Sequence, residues 1–277
     1  MRQTWLVLDA HCLRHRAWHT TGQLASGALY GFFRDIRDLR DLFDADKIVF
    51  AFDHGYAYRL ELLPTYKQSR REPKVPPTEE EIAARQELSR QIGLLRDKYL
   101  PALGYRNVLH QRGYEADDMI AAACIHRPSL TDIVIVSSDG DLFQLLDESV
   151  SIYNPHQKKL LTQRWFVGKW GLDPVMWASV KAMAGCSSDD IPGIDGIGET
   201  YASRYFAGKL NKESKAHAKI QAGLDVYNRN IQLTRLPAPG VEVPQWREDD
   251  ATERRWGEVT EQLGFKSLKD LRSAGSK

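Results

Sequence analysis

Three continuous apolar runs that each lead into an aspartate constrain the fold of this chain more than any other feature. They are TWLVLD at 4–9, KIVFAFD at 47–53 and DIVIVSSD at 132–139. Unbroken apolar strands are typical of a parallel sheet that is buried on both faces, since strands with one solvent-exposed face alternate between apolar and polar residues. Ligand sites of such sheets lie off the carboxyl ends of the strands, so we expect Asp9, Asp53 and Asp139 to meet there.

Helical patterns alternate with these runs. Apolar residues recur at helical spacing over 24–43, and Thr78 with Glu81 forms a capping box that predicts a helix from about 79 to 100. The other predicted elements are short: strands near 105–110 and at 149–154, and a helix opened by Gly140 and Asp141. The sequence therefore predicts an α/β fold, in which a mostly parallel central sheet is flanked by helices.

From about residue 165 onward, the sequence shows short helical patterns. Within this part, GIDGIG at 193–198 separates two helical patterns and is typical of a helix-hairpin-helix turn. Its glycines let backbone N–H groups approach a phosphate, and the next helix N-terminus adds a favourable field. Residues 234–252 are rich in proline and polar residues, which predicts an irregular segment on the protein surface. A last small helical element is expected at 263–272.

Composition indicates a soluble, intracellular protein that acts without a membrane. Charged residues make up 27% of the 277 residues, and no apolar run approaches the roughly 18 residues of a membrane helix. Three cysteines without CxxC spacing support neither a disulfide framework nor a thiolate zinc site. Because the net charge is only +1, nucleic-acid binding must depend on local patches.

One such basic patch precedes the capping box. Between Tyr58 and Pro76, two acids stand against five bases, which are Arg59, Lys67, Arg70, Arg71 and Lys74. Prolines interrupt this stretch, so we expect a loop that is mobile in the absence of a ligand.

Glu115, Asp117 and Asp118 place three carboxylates within four residues, just before a small apolar helical run. An acidic first turn is an ordinary feature of helices, because the helix dipole favours negative charge there. The crowding is less ordinary, since like charges about 4 Å apart repel by about 4 kcal/mol at an effective dielectric near 20. A bound cation would remove that repulsion.

Isolated carboxylates on separate stretches extend this acidic set. Its further members are Asp9, Asp53, Asp139, Asp141, Asp189 and Asp190. Each is unremarkable alone, because an aspartate that ends a strand or caps a helix is common. Together they offer oxygen ligands without histidine or cysteine at metal-ligand spacing, which favours Mg²⁺ or Mn²⁺ over zinc. Two such ions suit in-line attack on a phosphodiester.

These blocks, in this order, resemble the 5′ nuclease family, the flap endonuclease and 5′-3′ exonuclease group of bacteriophages and of the N-terminus of bacterial DNA polymerase I. The matching segments are LVLDA at 6–10, FAFD at 50–53, PTYKQSR at 64–70, EADDMIA at 115–121, SSDGDLFQLL at 137–146 and AGCSSDDIPGIDGIG at 184–198. The resemblance implies a nuclease core at 1–164 with an arch over the active site at about 56–100. It implies a helical DNA-binding region at 165–277, with the helix-hairpin-helix at about 185–207.

The resemblance also assigns roles to residues by motif position. It implies two metal sites, the first at Asp9, Asp53, Glu115 and Asp117 with Asp118 nearby, and the second at Asp139, Asp141 and Asp189. Lys67 and Arg70 match arch residues that face the scissile phosphate, and with Asp117 they are the expected catalytic residues. The implied DNA contacts are Arg59, Lys67, Arg70, Gly193, Gly196, Ile197 and Gly198. The 193–198 loop matches one whose carbonyls hold potassium against DNA.

The chain departs from the family pattern at three positions of the second metal site. Cys186 and Asp190 stand where the family usually has aspartate and asparagine, and Gly140 replaces a basic residue. We expect Cys186 to weaken Mg²⁺ binding without rescue by Asp190.

The expected function is that of a monomeric, cytoplasmic enzyme of a bacterium or phage-infected host that removes DNA flaps or primers in replication or repair. A DNA-binding module with weakened catalysis and a PIN-like ribonuclease are the alternatives. The ribonuclease would not require the hairpin.

Overall fold

The computed structural model describes residues 2–13 and 26–271. Its centre is a six-stranded sheet made of β1 (Gln3–Asp9), β2 (Lys47–Ala51), β3 (Val108–Leu109), β4 (Thr131–Val136), β5 (Val150–Asn154) and β6 (Lys159–Leu161). The spatial order is β3-β2-β1-β4-β5-β6, and every neighbouring pair is parallel except β5 with β6. The predicted α/β fold with a mostly parallel sheet is therefore confirmed.

The central strands are buried on both faces, which explains their unbroken apolar runs. In β1, Trp5 and Val7 join one hydrophobic core, and Leu6 and Leu8 join the other. Successive side chains of a strand point to opposite faces, so a strand between two helical layers needs apolar residues at every position. The two cores hold the carboxyl ends of β1, β2 and β4 in fixed register.

Helices cover both faces of the sheet. Their bounds are α1 (Gly27–Phe43), α2 (Ala57–Leu62), α3 (Gln68–Arg71), α4 (Glu79–Leu94), α5 (Leu100–Leu103), α6 (Ala116–Ile125), α7 (Gln163–Trp170), α8 (Trp177–Ala184), α9 (Glu199–Phe206), α10 (Lys215–Ala222), α11 (Leu224–Thr234) and α12 (Glu253–Gln262). Short 3₁₀ turns lie at Gly140–Leu145, Pro174–Met176, Ser187–Asp189 and Lys266–Leu268, and a two-stranded ladder pairs β7 (Gly185–Cys186) with β8 (Ile191–Pro192). Over residues 2–13 and 26–271, no helix is long and apolar enough to cross a membrane.

The predicted helix at 79–100 begins at its capping box and continues past Pro101. The Thr78 hydroxyl accepts a hydrogen bond from the Glu81 N–H, and the Glu81 carboxylate accepts one from the Thr78 N–H. A π-helical turn at Leu95–Tyr99 then leads into α5. Proline has no N–H to donate and crowds the carbonyl four residues earlier, so the widened turn just before Pro101 accommodates it.

The loop predicted upstream of the capping box is wrong for residues 57–71. This stretch forms α2 and α3, and the side chains of Arg59 and Tyr66 are buried, each with 3% exposure. The prediction failed because it weighed prolines and charges but could not identify which side chains point inward. The irregular parts are residues 63–67 between α2 and α3 and residues 72–78 before α4.

Residues 235–252, called the strap below, also pack more closely against the protein than was predicted for an irregular surface segment. The Trp246 ring meets Trp5 edge-on at 4.9 Å between centroids. Asn107 accepts a hydrogen bond from the Arg247 N–H and donates one to the Arg247 carbonyl, at 3.1 and 2.9 Å. The strap therefore covers the β3 edge of the sheet, which would otherwise present unpaired backbone groups.

Gly104 allows the strap to approach, and its replacement is expected to destabilise the protein. Its φ is +95°, and an added Cβ would lie 2.5 Å from backbone atoms of Asp250 and Ala251. We expect Gly104→Ala to lower the free energy of unfolding by at least about 2 kcal/mol. Gly93→Ala is the matched control, because nothing lies within 4 Å of that position in α4. Equal unfolding free energies for the two variants in urea would contradict a packed strap.

Candidate active site

Asp9 ends the central strand β1, beside β4, where the connections leave the sheet in opposite directions. Its carboxylate is buried, and one oxygen accepts backbone N–H groups of His11 and Cys12 at 2.8 and 3.1 Å. The other oxygen accepts the Ser137 hydroxyl at 2.7 Å. Burial raises the pKa of Asp9 above its ordinary value, and the Ser137 hydrogen bond only partly offsets this.

The other two strand-end aspartates line the same cavity as Asp9. Asp53 accepts the Ala116 N–H at 2.8 Å, and its second oxygen lies 3.0 Å from Nδ1 of His11. Asp139 follows β4 and caps the next turn. Partial removal from water and the charge of Asp141 raise the pKa of Asp139 to about 6. The structure thus brings together carboxylates from three strands that are far apart in sequence.

α6 begins at the acidic cluster and adds two carboxylates to this cavity. Glu115 is the residue before the helix, and Asp117 lies in its first turn. Burial raises the pKa of Asp117 well above its ordinary value, and the charges of Asp139 and Asp9 raise it further. Over residues 2–13 and 26–271, no donor is hydrogen-bonded to the Asp117 carboxylate, so its charge faces other carboxylates.

Asp118 and Arg59 occupy places that differ from their predicted roles. Asp118 has no exposed surface, and its two oxygens accept from the Arg59 guanidinium at 2.6 and 2.9 Å. The Ala238 N–H donates to the same carboxylate at 2.9 Å. We therefore correct the predicted metal role of Asp118 and the predicted DNA contact of Arg59. Successive helical residues point about 100° apart, so Asp117 faces the cavity and Asp118 faces the protein interior.

Lys67 and Tyr66, in the turn between α2 and α3, contact Glu115. The Tyr66 hydroxyl donates to Glu115 at 2.7 Å, and the Lys67 ammonium is ion-paired with the same carboxylate. Lys67 also lies 3.5 Å from Asp189, and Arg70 pairs with Asp189 at 2.9 Å. Burial lowers the pKa of Lys67, but Glu115 and Asp189 outweigh it, so the pKa is raised and the ammonium stays charged. Lys67 and Arg70 therefore form the cationic wall of the cavity.

Asp141 and Asp189 of the predicted second metal site lie beside Cys186 in the same cavity. Asp141, Cys186 and Asp189 each offer one ligand atom, and these atoms lie within 4.8 Å of one another. Asp190 does not join them, because its carboxylate accepts the Ser69 N–H and hydroxyl at 2.8 and 2.7 Å. This placement agrees with the expectation that Asp190 does not replace the missing aspartate.

The glycine hairpin lies between the β7–β8 ladder and α9. The Ile197 side chain is buried, so only its backbone is available to a ligand, whereas Gly196 and Gly198 are exposed. Gly193 packs against the end of α8, where a Cβ would lie 2.2 Å from the Ala184 carbonyl oxygen. Of the four predicted DNA contacts in this loop, Gly196 and Gly198 face solvent most openly.

A divalent cation fits this cavity of about 340 Å³. Burial raises the pKa of Asp117, and the neighbouring charges of Asp139, Asp9, Glu115 and Asp53 raise it further. A cation would supply the positive charge that no described donor gives to Asp117, and oxygen ligands are those that hard divalent ions prefer. The donor chemistry thus agrees with a metal centre at the carboxylates of Asp9, Asp53, Glu115 and Asp117.

A family model, described as the N-terminal resolvase-like domain of 5′-3′ exonuclease, matches residues 4–171. The chain belongs to the 5′-3′ exonuclease family. This confirms the family expected from the sequence. Within the family match lie the strand-end aspartates, the acidic cluster and residues 56–100, whereas the hairpin at 193–198 lies beyond it.

Similar proteins of this exonuclease family occur as parts of longer chains. The thermostable DNA polymerase I of Thermus thermophilus is 30% identical over 250 residues, which are 83% of this chain and 28% of the polymerase. That of Thermus aquaticus is 32% identical over 208 residues, which are 72% of this chain and 23% of the polymerase. The chain therefore spans roughly a quarter of the length of these curated relatives.

Solved structures of other proteins share the fold. A bacteriophage T5 protein crystallised with metal ions superposes with a TM-score of 0.73 at 24% identity, over 97% of this chain and 98% of its own. Human GEN1 in complex with Holliday junction DNA has a TM-score of 0.60 at 16% identity, over 93% of this chain and 67% of its own. At these identities the likeness establishes the fold alone.

Three residues of the cavity were not predicted as site residues: His11, Tyr66 and Lys181. His11 pairs with Asp53 and Tyr66 with Glu115, and the Lys181 ammonium lies 3.0 Å from Asp141. Tyr66 adjoins Lys67 and His11 follows Asp9 by two residues, which are the weak signals the sequence offers. Lys181 carries no such signal, since it looks like one more polar residue of a helix.

Proposed function

We propose that this protein is a metal-dependent 5′ nuclease that hydrolyses phosphodiester bonds in DNA with a free 5′ end or a flap. The observation that carries this proposal is the cavity itself. The cavity holds the carboxylates around Asp117 and, paired with Glu115 and Asp189, the ammonium of Lys67 and the guanidinium of Arg70. A phosphodiester is anionic, so it fits between a cation held by the carboxylates and the two basic side chains.

The proposed metal ligands are fewer than the sequence predicted, because Asp118 is no longer among them. We assign Asp9, Asp53, Glu115 and Asp117 to one ion and Asp139, Asp141 and Asp189 to a second, with Mg²⁺ or Mn²⁺ as the proposed ions. Bound metal would activate a water nucleophile and neutralise phosphate oxygens. Arg59 and Asp118 support this set indirectly, because Arg59 lies 3.2 Å from Glu115 and fixes the start of α6.

Lys67 is the side chain that we propose stabilises the negative charge that develops on the phosphate during the reaction. Its ammonium is held at the cavity by Glu115 and Asp189 and lies 5.1 Å from the centre of the Tyr66 ring. The Lys67 N–H also donates to the Asp189 carbonyl at 2.9 Å, which ties the arch to the second metal position. A cation that is already oriented before the reaction needs no reorganisation as charge develops.

The hairpin is proposed to hold duplex DNA through backbone groups. Gly198 precedes the first turn of α9, and the space beside its Cα is open. Free N–H groups and the helix dipole favour a phosphate at such a terminus. Potassium is proposed on carbonyls of this loop, next to the Asp195 carbonyl that already accepts the Lys219 ammonium at 3.1 Å. The neighbours crystallised with DNA have the same fold, which supports a DNA substrate.

The cleavage test uses a 5′-labelled flap, a nicked duplex, a blunt duplex and single-stranded RNA, each with Mg²⁺ or with a chelator. We expect metal-dependent cleavage of the flap near its junction and none of the RNA. Preference for the RNA would favour the PIN-like ribonuclease. Tight flap binding without cleavage in Mg²⁺ or Mn²⁺ would favour a DNA-binding module with weakened catalysis. Removal of flaps or primers by a cytoplasmic monomer is the corresponding proposal for the cell.

Lys67 and the hairpin are expected to separate turnover from affinity. Lys67→Ala should lower the single-turnover cleavage rate by about 10²–10³-fold, as loss of one transition-state donor does, with a smaller change in duplex affinity. Gly198→Asp should weaken duplex binding with little effect on the rate at saturation, because a carboxylate there repels phosphate. Gly198→Ser is the matched control, since serine and aspartate both favour this position before a helix. Effects of Lys67→Ala and Gly198→Asp on binding alone would contradict this division.

A further inference from the structure

The cluster of Asp141, Cys186 and Asp189 differs from the carboxylates around Asp117 because it contains sulfur. Its three ligand atoms lie within 4.8 Å of one another, and all three side chains are partly buried. They line the same cavity as the strand-end aspartates. Two hard oxygen donors and one soft sulfur donor therefore converge at the position assigned above to the second ion.

The backbone holds Cys186 in this place. Gly185 has φ +75°, and a Cβ there would lie 2.4 Å from the Gly193 nitrogen. Gly193 is packed as closely against Ala184 on the other side. The β7–β8 ladder is thus locked between α8 and the hairpin, so the Cys186 side chain cannot move away from the cavity by a small change of the loop. Its Sγ donates to the Asp189 carboxylate at 3.5 Å.

The neighbouring carboxylate offers no alternative ligand. Asp190 has φ +54°, which turns its side chain toward the arch, where Ser69 donates two hydrogen bonds to it. Lys181 lies 3.0 Å from Asp141 and supplies one positive charge beside the cluster. That charge helps to balance the three anionic ligands that a thiolate and two carboxylates would present.

Ligand type decides which ion such a cluster prefers. Thiolates are ligands of zinc and of other soft divalent ions, whereas Mg²⁺ is bound by oxygen and dehydrates reluctantly. We propose that the cluster binds a thiophilic divalent ion of the zinc class, such as Zn²⁺, Co²⁺ or Cd²⁺, in preference to Mg²⁺, with Cys186 as a thiolate ligand. Binding would form the metal–sulfur bond and release the thiol proton to solvent. This inference rests on the proposed function, which places the second ion here.

The test follows Cd²⁺ binding to the full chain by the ultraviolet charge-transfer absorption of cadmium thiolates. We expect one equivalent of Cd²⁺ to produce this absorption in the wild type, and excess Mg²⁺ not to abolish it. Cys186→Ser should lose the absorption and weaken Cd²⁺ binding by at least about tenfold. Cys124→Ser is the matched control, because Cys124 lies near the end of α6, does not line the cavity and should not be a ligand.

Absorption that persists in Cys186→Ser, or that is absent from the wild type, would overturn the inference. Circular dichroism of each variant confirms that it is folded. The test needs no DNA, so its failure is distinct from failure of the proposed function. Flap cleavage in Mg²⁺ without the cadmium absorption would refute only the thiolate site. Cadmium absorption without cleavage in any divalent ion would refute only the nuclease.

Discussion

Asp117→Asn is expected to abolish cleavage while leaving the protein folded. Loss of an outer-shell partner typically costs a metal site about 10–100-fold, so loss of a carboxylate that faces the ion should cost more. The metal-free variant should melt at a higher temperature than the wild type, because one of several mutually repelling carboxylates becomes neutral. Single-turnover cleavage of the flap and thermal unfolding in a chelator measure the two effects.

The pH dependence of metal-free stability provides a second measurement on the same variant. Burial and neighbouring carboxylates raise the pKa of Asp117 above 3.8, and the pKa of Asp139 to about 6. A carboxyl group whose pKa is raised on folding stabilises the protein while protonated, and this contribution is lost as the pH rises through the folded-state pKa. The wild type should therefore lose stability from about pH 4 upward, and Asp117→Asn should lose less.

Asp173→Asn is the matched control for Asp117→Asn. Asp173 also lies at a helix N-terminus, where it accepts the Val175 N–H at 3.0 Å, but it does not line the cavity. This control should cleave the flap like the wild type and show the wild-type pH dependence. Near-normal turnover of Asp117→Asn would remove Asp117 from the proposed metal centre.

Arg59→Met is expected to destabilise the protein by about 3–5 kcal/mol, because it leaves the buried carboxylate of Asp118 without its counter-ion. Arg59 and Asp118 have 3% and 0% exposure and share two hydrogen bonds. Arg70→Met is the matched control, since the Arg70 side chain is 49% exposed and a surface ion pair contributes at most about 1 kcal/mol. Urea unfolding measures the free-energy difference for each variant.

The double variant Arg59→Met/Asp118→Asn distinguishes a structural pair from a DNA contact. Asparagine removes the buried charge but keeps an oxygen that can accept the Ala238 N–H. The double variant should recover much of the stability lost in Arg59→Met, because the two residues are directly coupled. Wild-type unfolding of Arg59→Met combined with reduced DNA affinity would restore the original DNA-contact prediction.

The sequence alone determined the parallel strands of the sheet and the aspartates at their carboxyl ends. Apolar runs that end on Asp9, Asp53 and Asp139 predicted parallel strands, and the geometry of parallel strands requires their carboxyl ends to lie together. The Thr78 capping box predicted a helix start, because its hydrogen bonds involve residues only three apart. Such features are local or periodic, so they can be identified without knowledge of distant contacts.

Only the tertiary structure determined which charged side chains line the cavity and which stabilise the fold. Asp117 and Asp118 are adjacent and chemically identical, yet Arg59, a residue 59 positions from Asp118, pairs with Asp118 and leaves Asp117 to the cavity. The strap shows the same limit, since its contact with Asn107 spans 140 residues. A charged or polar side chain is stable in water or against a buried partner, and local sequence does not identify that partner. The pairings formed by packing across distant segments therefore determined the final site.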